Sequence, residues 1–254
     1  MIILHRISTF LIALLTAVVF VILIYWPDQL LLAAIIGFVM TPLLFVRLLK
    51  WEVKRFVFWV FLALPLLLLF SSVFFFFFLE GEVIKYAVGI IVTLCIWIYA
   101  ESVFAFYHLP STYQAYTLEY LSLTLSLLSA FFFASGMYAM GLFLQLSLWV
   151  PAIIMGLFSF FSSMMVLWVS KISLQRALRF SIICGICLAQ TYIVLSLLPT
   201  SFVSNAAGFA VILYLFLGLS RAQALEKLSK KVILRYLAIA SAMLLMIFLT
   251  ARWI

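Results

Sequence analysis

The side chains best suited to chemistry are concentrated between residues 99 and 120 of this chain. The stretch YHLPSTYQAYTLEY, residues 107–120, holds His108, one of only two histidines, together with Glu119. Glu101 lies seven residues before His108, inside a long apolar run. If the helix continues, these two side chains share one helical face. An ionisable group within an apolar span is costly and indicates a functional site by default. The tyrosines of this region are Tyr99, Tyr107, Tyr113, Tyr116 and Tyr120.

Three interpretations of this region remain open. Tyrosines at the end of a span are typical of an aromatic belt at the membrane surface, with Glu101 paired to a tyrosine or another polar neighbour. Alternatively, the aromatic face forms a binding surface for a protein partner or a lipid headgroup, helped by a turn without lysine or arginine. In the third interpretation, Glu101, His108 and Glu119 act as metal ligands or acid–base groups. No H-x-x-E or E-x-x-H spacing supports a metal site, so we predict no metal and no cofactor.

Other catalytic patterns are missing from the sequence. It contains no G-x-S-x-G, H-E-x-x-H or P-loop motif. Asp28 is the only aspartate, which excludes paired aspartates that hold magnesium against a diphosphate. Cys184 and Cys187 form a C-x-x-C inside an apolar run, where cysteines serve as small packing residues. We therefore favour a non-catalytic protein over an enzyme.

The composition indicates a membrane protein. Of the 254 residues, 69% are hydrophobic and 9% are charged, whereas soluble domains average about 45–50% apolar and about 25% charged residues. A soluble fold of this size cannot hide that much hydrocarbon. The fold class we predict is all-α, a polytopic transmembrane helix bundle. It forms a single integral-membrane domain over residues 1–254, with no soluble domain and no cleavable signal peptide.

The apolar runs predict about nine spanning helices, because a span needs about 20 apolar residues. The least certain division falls within 116–169, which we cut near Gly141–Gln145, before Trp149 and Pro151. Prolines at positions 42, 65 and 151 are expected to kink helices two, three and six. Small-xxx-small pairs, including Gly185/Ala189 and Ala238/Ala242, predict close helix packing in the carboxy-terminal half. The predicted spans are 8–26, 29–48, 56–79, 84–106, 116–140, 144–169, 177–198, 202–219 and 233–251.

The basic residues predict the orientation. Cytoplasmic segments collect lysine and arginine, and a nine-helix chain with its amino terminus inside and its carboxy terminus outside (N-in, C-out) places thirteen of the fifteen basic residues inside. Removing one span would leave only five inside. The net charge of +8 is therefore a topology signal and gives no support for nucleic-acid binding. We expect a bacterial cytoplasmic (inner) membrane. The inside residues are Arg6; Arg47, Lys50, Lys54 and Arg55; Lys171, Arg176 and Arg179; and Arg221, Lys227, Lys230, Lys231 and Arg235.

Two local features are predicted at the inner surface. Ser111 and Gln114 have capping-box spacing, so helix five is expected to begin there, with Tyr113, Tyr116 and Tyr120 following one face. The segment SRAQALEKLSKKVILRYL, residues 220–237, predicts a short amphipathic helix along the inner surface. It would bind anionic lipid, or dock a cytoplasmic subunit. Its basic residues are Arg221, Lys227, Lys230, Lys231 and Arg235.

Our functional hypothesis is a non-catalytic multi-pass membrane component. It would bind or scaffold membrane or cytoplasmic protein partners through the 99–120 hairpin and the basic inside segments, within the lipid bilayer. One alternative is a permease-type transport subunit whose kinked helices two, three and six line a path. The other alternative is a membrane-embedded enzyme centred on Glu101 and His108.

Overall fold

The computed structural model describes residues 2–51, 54, 56–111, 113–251 and 253, with side chains described from Arg6 onward. Arg55, one of the thirteen basic residues predicted inside, lies outside the described residues, and so does Arg252, one of the two basic residues predicted outside. The described residues contain no strand beyond one isolated bridge between Thr200 and Trp253. This confirms the all-α prediction.

Nine helices in the described part of the chain are long and apolar enough to cross a membrane. This confirms the predicted number of apolar helices, while their crossing of a membrane and their orientation stay predictions. The helices are α1 (Ile2–Tyr25), α2 (Pro27–Leu48), α3 (Phe56–Phe76), α4 (Glu82–His108), α5 (Thr117–Leu144), α6 (Trp149–Val169), α7 (Leu174–Ser196), α8 (Phe202–Ala224) and α9 (Lys230–Thr250).

The division between α5 and α6 falls where the sequence predicted it. Helix α5 ends at Leu144, and Gln145 has a φ of 48°. A residue in this left-handed region lets the chain leave a helix while its last carbonyl groups are still satisfied. Helix α6 then begins at Trp149. The unbroken apolar stretch 116–169 thus forms two helices, as predicted.

Two of the three prolines interrupt a span. Helix α2 contains a π-helical turn over Ile36–Met40, which ends two residues before Pro42. Proline lacks an N–H and its ring excludes the carbonyl one turn earlier, so the backbone widens there. Pro65 lies inside α3. Pro151, however, is the third residue of α6, where a missing N–H has no helical partner to lose. The kink predicted for helix six was wrong.

The chain divides into two compact units, Met1–Leu125 and Ser126–Ile254. In the first unit, α1 packs against α4 and α2, and α3 packs against α4. Its fully buried side chains include Phe45, Leu64 and Tyr99. In the second unit, α6 and α7 form the most extensive helix pair, and α8 packs against both α7 and α9. That the whole chain is a single integral-membrane domain stays a prediction.

The predicted amphipathic helix of the basic segment does not form as a separate element. Helix α8 runs to Ala224 and α9 begins at Lys230, leaving only five connecting residues. The two spans use the residues on either side for their own end turns, so too few remain for a surface helix. Arg221 lies in the last turn of α8. Lys227 is exposed in the connection, and exposed Lys230, Lys231 and Arg235 lie in the first turns of α9.

Candidate functional site

The predicted hairpin is formed by the second half of α4, the connecting residues 109–111 and 113–116, and the start of α5. Helix α4 continues unbroken to His108, so Glu101 and His108 share a helix and lie about 10.5 Å apart along its axis. Helix α5 begins only at Thr117. The capping box predicted at Ser111 and Gln114 was therefore wrong.

Tyr113 supplies the missing cap. Its hydroxyl accepts a hydrogen bond of 3.1 Å from the backbone N–H of Leu118, in the first turn of α5. The N–H groups of a helix's first turn have no partner within the helix. The Tyr113 ring also packs edge-on against Phe106, with 5.2 Å between the ring centroids. Tyr113 thus fixes the turn to both helices.

The predicted face of three tyrosines is not formed. Tyr113 and Tyr116 precede the first residue of α5, and only Tyr120 lies on the helix. Tyr116 has a φ of 70°, in the left-handed region that non-glycine residues seldom adopt. The other described non-glycine residues with positive φ all follow the end of a helix: Lys50, Trp51, Gln145, Lys171 and Glu226. Tyr116 differs because it lies just before a helix begins.

Glu101 is bound by two side chains of α1. Its Oε1 lies 3.3 Å from Nε of Arg6, and its Oε2 lies 2.8 Å from the hydroxyl oxygen of Thr9. That hydroxyl is also 2.8 Å from the Arg6 carbonyl, so its single proton is shared between two acceptors. The Glu101 side chain is 34% exposed. The carboxylate therefore fastens α1 to α4 and still faces solvent or headgroups on one side.

His108 is bound to the end of α2. Its Nε2 lies 3.1 Å from the carbonyl oxygen of Leu48, the last residue of that helix. A carbonyl only accepts, so Nε2 carries the proton in this contact. The imidazole also stacks on Phe104, with centroids 5.1 Å apart. His108 therefore satisfies a carbonyl group at a helix end that has no partner within the helix.

The remaining predicted residues serve packing or lie apart from this pair. Tyr99 is fully buried, and its hydroxyl donates a 3.2 Å hydrogen bond to the carbonyl of Phe61. Tyr107 packs edge-on against the same phenylalanine ring. Glu119 is buried in the first turn of α5, where the helix dipole favours a carboxylate. Within the described residues, no three His, Cys, Asp or Glu side chains come close enough together to hold a metal ion.

A groove of about 350 Å³ lies beside Glu101. Helix α4 contributes one wall, which includes Trp97, one turn before Glu101. The turn and α5 contribute Tyr113, Gln114 and Thr117. The indole N–H of Trp97 is buried and has no hydrogen-bond partner among the described residues. The groove is thus lined by a carboxylate, which has about four acceptor positions, and by a tryptophan whose unpartnered indole N–H is buried in the wall.

A comparison with protein families matches residues 47–250, about four-fifths of the chain, to a family described as protein of unknown function (DUF5656). The chain belongs to the DUF5656 family. The matched range contains helices α3 to α9, the hairpin and the residues that line the groove. Arg6 and Thr9, which bind Glu101, precede it. No curated protein and no solved structure matches the chain.

Sequence reasoning missed three residues of this site. Arg6 was counted only as a topology signal, and Thr9 and Trp97 were not singled out. A weak signal was present, because Arg6 and Thr9 are three residues apart and share a helix face, and Trp97 and Glu101 are four apart. Nothing in the spacing, however, indicates that these two faces meet.

Proposed function

We propose that this chain is a multi-pass, N-in and C-out membrane protein that holds a protein partner at the turn between α4 and α5, without a catalytic role. The observation that carries the proposal is the exposed aromatic surface beside the Glu101 groove. Phe106, Tyr116 and Tyr120 are 41%, 57% and 62% exposed. Large amphipathic rings are enriched at protein interfaces because they bury much area with few rotatable bonds.

The backbone at Tyr116 supports this proposal. A non-glycine residue in the left-handed region costs on the order of 1 kcal/mol and persists only where the surroundings hold it. Here the strained residue has an exposed phenol next to the groove. Such outliers cluster at binding sites, which favours an interaction surface over a simple connection.

The charge of the hairpin favours a protein over an anionic lipid surface. No lysine or arginine occurs between Lys85 and Lys171, and the one guanidinium described at the groove, that of Arg6, is paired with Glu101, whereas attraction to anionic headgroups depends on unpaired lysine and arginine. The groove has a carboxylate acceptor at Glu101, and an unpartnered indole N–H is buried in its wall at Trp97. A peptide group carries one acceptor and one donor, so an extended segment of a partner protein matches this pair.

The two alternatives have less support. An enzyme would need Glu101 or His108 as a mobile acid or base, yet Arg6 and Thr9 hold the first and a helix end holds the second. The permease alternative relied on kinks in three helices. Pro151 lies in the first turn of α6, which removes one of them.

Site-specific photo-crosslinking tests the proposal. A benzoylphenylalanine residue replaces Tyr116 or Tyr120 in the full-length protein, and native membranes are irradiated. We expect both positions to give the same single protein adduct. The matched control is Trp149, which is 69% exposed at the start of α6. If only lipid adducts form, or if position 149 gives the same adduct, the tyrosines are an aromatic belt and the proposal is wrong.

The same assay tests whether the groove contributes to binding of the partner protein. Trp97→Phe removes the indole donor, and Glu101→Gln removes the charge but keeps an acceptor for Thr9. We expect Trp97→Phe to reduce the adduct from position 116, on the order of fivefold for one hydrogen bond. The midpoint of thermal unfolding of each variant in detergent shows whether the fold is retained. An unchanged adduct yield in a folded Trp97→Phe variant would contradict the role of the groove.

A further inference from the structure

A second cavity, of about 150 Å³, lies within the unit Ser126–Ile254 and well away in sequence from the hairpin. It is found where α5 and α7 end and where α6 and α8 begin. Leucines, Pro151 and Phe202 form its apolar wall, and its polar lining contains no charged side chain. Leu142 and Leu148 line it and are 67% and 42% exposed, so the cavity opens on their side.

Tyr192 places an unused hydroxyl in this cavity. The residue is only 2% exposed, and its ring stacks on Tyr138 with centroids 4.2 Å apart. The Tyr138 hydroxyl donates to the Tyr192 carbonyl over 3.2 Å. The Tyr192 hydroxyl makes no hydrogen bond to any described residue. It points toward Gly141, another lining residue, since a Cβ there would lie 4.0 Å from it.

Asn205 supplies a second unused donor. It is 5% exposed, and its side-chain oxygen accepts a hydrogen bond from the Thr200 hydroxyl. The amide nitrogen has two N–H groups left, and neither donates to a described residue. The Ser196 hydroxyl is already used, because it donates to the carbonyl of Ile193 over 2.6 Å. The free groups therefore include two donors, the Tyr192 hydroxyl and the Asn205 amide, which one oxygen acceptor would satisfy.

The size and position of the cavity limit the kinds of ligand that it can bind. Sites for whole small molecules usually measure about 300–1,000 Å³, so this cavity holds only part of a molecule whose remainder lies outside. Trp149, beside the rim, is exposed, as tryptophans are at the membrane interface. The acyl esters of membrane lipids are uncharged acceptors on apolar chains, and they lie between the headgroups and the hydrocarbon.

We propose that this cavity binds the acyl-ester group of a membrane lipid. The ester carbonyl accepts hydrogen bonds from the Tyr192 hydroxyl and the Asn205 amide, and the first methylene groups of the chain lie against the apolar wall. The headgroup stays outside, past Leu142. This site is separate from the hairpin, and its test is independent of the protein partner proposed there.

Two phospholipids that differ only in the carbonyl group test the proposal. Delipidated full-length protein in detergent is titrated with a diester phosphatidylglycerol or with its diether analogue, and native mass spectrometry measures the bound fraction. We expect the wild-type protein to bind the diester more tightly, on the order of fivefold, the effect of one hydrogen bond. Equal binding of the two lipids would overturn the proposal and leave water as the occupant of the cavity.

Two tyrosine variants provide the matched pair. Tyr192→Phe removes an unpartnered hydroxyl, so the protein should fold normally and lose the diester preference. Tyr138→Phe removes a hydroxyl bonded within the protein, so it should lower the unfolding temperature and keep the preference. If Tyr192→Phe keeps the preference, or if both variants lose it equally while folded, the Tyr192 hydroxyl does not bind the carbonyl and the proposal fails.

A third variant tests whether the lipid ester binds inside this cavity. Gly141→Ala adds a methyl group at ordinary contact distance from the Tyr192 hydroxyl, inside the cavity. We expect it to weaken binding of the diester lipid. With ¹³C-labelled ester carbonyls, infrared spectroscopy should show a hydrogen-bonded carbonyl band in the wild-type protein that is lost in Tyr192→Phe. A band unaffected by both variants would place the lipid elsewhere.

Discussion

Gly156 of α6 and Gly185 of α7 lie so close that the carbonyl oxygen of each fills the space where a side chain of the other would be. A Cβ on Gly185 would lie 2.9 Å from the Gly156 oxygen, and a Cβ on Gly156 would lie 3.0 Å from the Gly185 oxygen. Helices in lipid associate through such close packing, because lipid removes the hydrophobic drive between them. This contact explains why α6 and α7 form the most extensive helix pair.

Gly185→Ala should therefore destabilise the protein. The added methyl group meets backbone, which cannot turn away as a flexible side chain can. Overpacking of this kind costs about 1–3 kcal/mol. The measurement is unfolding in detergent with increasing denaturant. Gly208→Ala in α8 is the control, because its Cβ would lie 3.6 Å from Leu195, an ordinary contact. A Gly185→Ala protein as stable as the control would contradict the close approach.

Gly218→Ala should loosen α9. A Cβ on Gly218 would overlap the Tyr236 ring, and among the described residues of α9 only Ala240 is buried. Moving the tyrosine therefore disturbs its contacts with Gly218 and Tyr214 of α8, at a cost of about 1–3 kcal/mol. Limited proteolysis of the connection between α8 and α9 measures the effect. The double variant Gly218→Ala/Tyr236→Ala removes the clash, so it should be less destabilised than the sum of the single changes.

The ion pair between Arg6 and Glu101 should be measurable but modest. A double-mutant cycle with Arg6→Gln and Glu101→Gln should give a coupling free energy of about 0.2–1 kcal/mol, because both side chains are partly exposed. The pair Arg176 and Glu226 serves as the comparison, with side chains 56% and 80% exposed. Its coupling should be smaller. A coupling of zero at Arg6 and Glu101 would mean that Thr9 alone holds the carboxylate.

The predicted orientation can be tested by cysteine labelling. In a variant without the three native cysteines, a cysteine replaces Glu80 or Lys227, which both lie in exposed connections. A membrane-impermeant maleimide should label position 80 in intact cells. Position 227 should be labelled only after the cells are permeabilised. The reverse pattern would show that the chain is oriented N-out and C-in.

Part of the candidate site could be predicted because some residues are conspicuous by type alone. Glu101 was singled out since a carboxylate inside an apolar span is costly. Its partners Arg6 and Thr9 could not be identified, because more than ninety residues separate them from it. Similarly, the pair Gly185/Ala189 was expected to pack closely and does, against Gly156. Ala238 and Ala242, with the same spacing, are exposed.

At the turn before α5, a local sequence pattern predicted the wrong start of the helix. The capping-box spacing at Ser111 and Gln114 was a valid local pattern, but the helix begins at Thr117 and Tyr113 caps it. A turn can be satisfied by several local donors and acceptors. The choice depends on Phe106, against which the Tyr113 ring packs. The surface helix predicted between α8 and α9 is likewise absent, because those two helices include the flanking residues and leave only five between them.

By itself, the sequence determined the all-α fold, the number of helices apolar enough to cross a membrane and the division near Gln145. These properties follow from the length and hydropathy of each segment, which every residue contributes to independently of its distant neighbours. Only the tertiary structure decided which side chains bind Glu101 and His108, where Tyr116 is presented and that Tyr192 is left with an unused hydroxyl. These properties depend on which helix faces meet, and that choice arises from packing and hydrogen bonding between residues far apart in the chain.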